Sequence, residues 1–95
     1  MEIKNWDTAE HLHDAEDIRL YLEAALAEND PAFFLKAVRI AARARGINEI
    51  AGKIGVNREN IIQSLSEDSN PGFMTVMNIL SVLGLHLSVQ SAQYS

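Results

Sequence analysis

Cysteine is absent from the 95-residue chain. That excludes disulfide staples, thiol nucleophiles and thiolate metal ligands, and it fits a reducing compartment. Long apolar runs are also missing. No stretch approaches the roughly 20 residues a membrane-spanning helix needs. The opening residues, MEIKNWDTAEHL, lack the basic-then-apolar pattern of a secretory leader. A soluble, cytoplasmic protein without membrane association is expected. There is no internal repeat and no low-complexity segment. No nucleophile stands beside a base in a known motif, and no glycine-rich phosphate loop occurs. An enzyme is therefore not expected, nor is a cofactor.

What is present suits one small domain. Apolar residues make up 47% of the chain, enough for a core, although the size keeps stability modest. The formal net charge of −5 conceals a block structure. Residues 1–35 carry two basic and nine acidic side chains. Residues 36–58 carry six basic ones, Lys36, Arg39, Arg43, Arg45, Lys53 and Arg58, against Glu49 alone. Residues 59–95 carry three acidic side chains and no basic one. A solvated surface usually mixes signs, so a basic block between acidic flanks suggests two differently charged faces.

Apolar periodicity and stop signals divide the chain. Residues 1–13 read as an irregular or partly helical arm, with Trp6 and Leu12 able to pin it to the body. Asp14 reads as an N-cap, with Asp17 in capping-box position. Ile18, Tyr21, Leu22, Ala25 and Leu26 recur at helical spacing. Asp30 and Pro31 start a second helix, and Phe34, Ala37, Val38, Ala41 and Ala42 supply its buried stripe. Gly46 ends it. Asn48 is expected to cap a third helix containing Ile50, Ala51 and Ile54. Gly55 permits a sharp turn, and Asn57 caps a fourth helix with Ile61 and Leu65 inward. SEDSNPG reads as a loop. A fifth helix is expected to bury Phe73, Val76, Met77, Leu80 and Leu83 and to stop at Gly84. The alternating tail LHLSV reads as one strand, which needs a partner strand such as that of a second copy. The domain map is an arm (1–13), a helical domain (14–89) and a tail (90–95).

The stretch NEIAGKIGVNRENIIQSL carries the functional signal. Ala51 is small enough for a close helix crossing, Gly55 follows four residues later, and Ile61 and Leu65 anchor the next helix. That arrangement sends Arg58, Glu59, Asn60 and Gln63 outward, at the positions that reach base edges when such a helix enters a major groove. Arg58 suits a guanine edge, Asn60 or Gln63 an adenine, and Glu59 a cytosine amine. Lys53, Arg43 and Arg45 suit the phosphate backbone, as do the free N–H groups at Asn48 and Glu49, and Asn57 at the helix start belongs to the same DNA-facing set.

These residues resemble the antitoxins of bacterial type II toxin–antitoxin modules, in the HigA-like subgroup with a lambda-repressor-like (XRE) helix-turn-helix. The resemblance rests on Arg43-Ala44-Arg45-Gly46, Ile50-Ala51, Gly55, Arg58-Glu59, Leu65-Ser66, Asn70-Pro71, Phe73, Thr75-Val76 and Gly84-Leu85-His86-Leu87. It spans about residues 6–89. It implies an all-α five-helix bundle with a short C-terminal strand pairing in a homodimer through Leu85, Leu87 and Val89. It also implies a small basic RelE/ParE-like toxin, encoded by the adjacent gene, as one partner and double-stranded operator DNA as the other. Relatives often have Ser-Gln where Asn48-Glu49 stand, and glutamate cannot donate the bond a glutamine gives. They also often carry a basic residue near Gln63 or Gly72. Two other functions therefore stand beside repression plus neutralisation: a partner-binding antitoxin without significant DNA binding, and a stand-alone repressor.

The acidic front end suits a basic toxin, with Trp6, Asp14, Glu16, Asp17 and Tyr21 as contacts. Tyr21, Leu22, Leu26, Phe33 and Phe34 fit either the core or an exposed groove for that partner, with core expected for Leu22 and Phe34. His11 and His13, one residue apart with no third histidine at ligand spacing, read as surface side chains rather than a metal site. Glu16 and Asp17 read as a helix N-terminus rather than an acid–base pair.

Overall fold

Each helix begins or ends where its local chemistry sets it. In the computed structural model, which describes residues 8–66, 70–89 and 91, the described chain is all-helical. A 3-10 turn, Thr8–His11, precedes five helices: α1 Ala15–Ala27, α2 Pro31–Arg45, α3 Ile47–Ile54, α4 Arg58–Ser64 and α5 Phe73–Val82. Asp14 caps α1, its Oδ1 accepting from the Asp17 amide at 2.8 Å. The Asp17 carboxylate reaches back one residue further than a capping box requires and accepts from the His13 amide at 2.9 Å. Asp30 caps α2 through the amides of Ala32 and Phe33 at 3.1 and 3.3 Å, with Pro31 in the first turn.

Helix α2 is the centre. The 3-10 turn, α1, α3 and α5 all pack on it, and α3 packs in turn on α4 and α5. Among the described residues, fifteen buried apolar ones form a core cluster. Small side chains on α2, Ala37, Ala41 and Ala42 beside Val38, are almost wholly enclosed and let neighbouring helices approach closely. Ile50 from α3 and Ile79 from α5 fill the space between them. Leu12 packs partly buried against this cluster, so the end of the arm is tied to the body. Trp6 lies outside the described residues.

Several expectations are corrected. Asn48 does not cap α3: the helix starts at Ile47, with Gly46 at φ 115° as its cap residue and no side-chain capping bond. One glycine both ends α2 and starts α3, leaving no linker in which Asn48 could take the extended cap conformation. Residues 85–89 form no strand. A strand needs a ladder partner, and this chain offers none among its described residues; Leu85 and Leu87 instead lie partly buried on the core, while Val89 is almost fully exposed. Phe73, expected inside, is 69% exposed, and Leu26, which the sequence fits to either the core or a groove, is 47% exposed. Phe73 is the first residue of α5 and Leu26 lies in the last turn of α1, each at a helix end. In α5, Ile79 takes the fully buried position and Met77 is only half-buried.

Candidate functional site

The geometry of the α3–α4 pair follows from Gly55. It caps α3 in the left-handed region, φ 90° and ψ 28°, which is cheap only without a Cβ. The amides of Gly55 and Val56 both donate to the Ala51 carbonyl, at 2.9 and 3.1 Å, and close the corner. Asn57 then caps α4, its Oδ1 accepting from the Asn60 amide at 2.9 Å. Ile61 and Leu65 turn inward and are buried. Arg39 on α2 donates through Nε to the Leu65 carbonyl, placing a cation at the C-terminal end of α4. One member of the basic block is thus committed to holding α4 against the body.

The sequence-predicted residues are all found on the surface around this corner. Arg58, Glu59, Asn60 and Gln63 are exposed along α4, as are Asn57, Asn48, Lys53 and Arg43. Arg45 is half-buried. Two pairings organise the group. The Asn48 Oδ1 accepts from the Arg58 guanidinium at 3.3 Å, linking the first turn of α3 to the first turn of α4. Arg45 donates to Glu49, four residues on, so that part of the basic block neutralises itself.

The acidic front end is organised differently. Asp14 and Asp17 serve the N-terminus of α1, and Glu16 accepts two bonds from the Arg19 guanidinium, at 3.0 and 2.7 Å. The Arg19 hydrogen bond, and secondarily its charge, holds the Glu16 carboxyl below the usual carboxylate range. Glu23 also faces Arg19, at 3.8 Å. Burial pushes the half-buried Tyr21 phenol up from its ordinary value. Leu22 is buried, Phe34 half-buried and Phe33 exposed. Among the described residues, no three histidine or acidic side chains come together as a metal set, and no helix is long and apolar enough to cross a membrane.

With this geometry in view, comparison with known proteins is informative. Residues 2–91 match the family described as probable addiction module antidote proteins. The chain belongs to that family. An antidote implies a toxin to bind, so a toxin partner follows from membership. A protein of Haemophilus influenzae (strain Rd), described as uncharacterized, is 38% identical over 94 residues, covering 99% of this chain and 97% of the relative. No solved structure matches the chain. For an antidote protein, two surfaces matter: one that meets the toxin, and any that meets another partner. The sequence signals found the corner at Gly55 and offered Leu26 for either core or groove, but they placed the open Phe73 inside, because helical periodicity assigns a face without saying whether a neighbour covers it.

Proposed function

We propose that this antidote protein neutralises a RelE/ParE-like toxin encoded by the adjacent gene and, as a homodimer, represses its own operon through a helix-turn-helix. The observation that supports the DNA half best is the Gly55 corner. It leaves Arg58, Glu59, Asn60 and Gln63 exposed on a helix whose Ile61 and Leu65 are anchored. Arg58 is steadied by Asn48, which suits a two-pronged contact with a guanine edge. Lys53 and Arg43 are exposed for phosphates. In the dimer, residues 85–89 of two copies pair as strands through Leu85, Leu87 and Val89. That sets the reading helices about 34 Å apart, one turn of duplex.

Gel shifts on an inverted repeat upstream of the gene test this reading. Binding that weakens as salt rises is the expected result. Arg58→Ala is expected to relax base preference, with a loss of about 1–3 kcal/mol on the preferred site. No shift at low salt, with or without the toxin, would end the operator half.

A second reading is favoured by the Arg45–Glu49 pair together with the exposed Glu59. Both lower the positive potential near the corner. In that reading the chain binds only the toxin, and the helix pair is scaffold. Co-purification with the neighbouring gene product, without promoter binding, would establish it.

A further inference from the structure

We infer that the toxin docks in an apolar groove at the far end of α1, away from the residues that cap its start. The inference rests on the antitoxin reading and assigns it a surface. The groove holds about 370 Å³ and is walled by Leu26, Phe34, Leu35, Phe73, Val76 and Leu87. A second groove of about 380 Å³ shares Leu26, Phe34 and Leu87 with it, so the two adjoin. Phe73 at 69%, Met74 at 74% and Leu26 at 47% exposure leave large apolar side chains in water at this end. Such clustering on a small chain marks an interaction surface rather than ordinary scatter. Phe73 stands at the start of α5, ready to be enclosed by whatever fills the cleft, as an aromatic anchor is.

Charge selects the occupant. Asp30 lines the first groove and Glu23 the second, and Glu28 stands exposed between them in the chain. Among the described residues lining either groove, Arg19 is the one Lys or Arg side chain, and it is already paired with Glu16 and Glu23. The partner that fits is therefore a segment with apolar side chains framed by lysine or arginine, from a basic protein. The first third of a second copy, with nine acidic side chains against two basic, would be repelled by this rim.

The test measures affinity between the full chain and the protein encoded by the adjacent reading frame. Two variants spare the fold by design. Phe73→Asp puts a carboxylate at the start of α5, which has no side-chain cap, and Leu26→Lys puts a cation in the last turn of α1; both agree with the helix dipoles. Each is expected to weaken toxin binding about a hundredfold, with the circular-dichroism melt and promoter binding unchanged. Unchanged toxin affinity in both variants overturns the inference. So does conversion of a dimer to a monomer with toxin affinity intact, which would assign the groove to a second copy. If the unaltered chain fails to bind the neighbouring product at all, the antitoxin reading falls and the inference with it.

Discussion

At the scale of single residues, pairing decides which charges are available. Glu49 faces Arg45 one helical turn away across the α2–α3 junction, and the two side chains are about equally exposed, at 42% and 35%. An exposed pair of this kind adds little to stability. It does withdraw a cation from the surface that would meet phosphate. Glu49→Gln is expected to free Arg45 and raise operator affinity. The slope of log affinity against log salt should steepen by about one, the mark of one more neutralised phosphate. Filter binding over a salt series reads both. Tyr21 gives a second residue-scale expectation. Burial raises its phenol above the ordinary value, so the folded state holds the proton to higher pH than the unfolded state does. Its contribution is fully present below about pH 10 and is lost as pH rises through the folded value. Tyr21→Phe should flatten the alkaline decline in stability, measured by urea unfolding between about pH 9 and 11.

At the scale of the element, caps and corners position the surface. Asp30 satisfies two orphan amides of α2, and α2 is the helix on which the others are built. Asp30→Ala should cost about 1 kcal/mol, visible as a lower urea midpoint without a change in slope. The helix boundaries were legible because Asp14, Asp30, Gly46, Gly55 and Asn57 act through bonds to their own neighbours in the chain. Asn48 misled for a local reason as well. An asparagine near a helix start looks like a cap, but Gly46 had already turned the chain, and the side chain was left to meet Arg58. The alternation of LHLSV was real in the sense that Leu85 and Leu87 share an inward side; the ladder that would make it a strand requires a second chain.

At the scale of the whole molecule, one core serves every face. Ile79 is fully buried in the apolar core cluster, on the helix that packs against both α2 and α3. Ile79→Ala should cost about 2–5 kcal/mol, a large share of what so small a domain possesses. Calorimetry is expected to show one cooperative transition moved to much lower temperature. The charge blocks act at this scale too. The acidic first third of the chain supplies Glu23 and Asp30 to the rim of the grooves, whereas Lys53 and Arg58 lie exposed at the α3–α4 corner, so the charge is segregated over the surface.

The sequence by itself determined the all-helical class, the position of the Gly55 corner, and the outward set Arg58, Glu59, Asn60 and Gln63. Each depends on interactions spanning no more than about two helical turns, which spacing reports directly. Only the tertiary structure decided that Leu26 and Phe73 stand open, that Ile79 rather than Met77 is enclosed, that Arg39 ties α4 to α2, and that Arg58 leans on Asn48. Periodicity marks a side chain as apolar and gives it a direction. Whether another helix lies in that direction depends on how helices distant in the chain cross, and no local pattern carries that information.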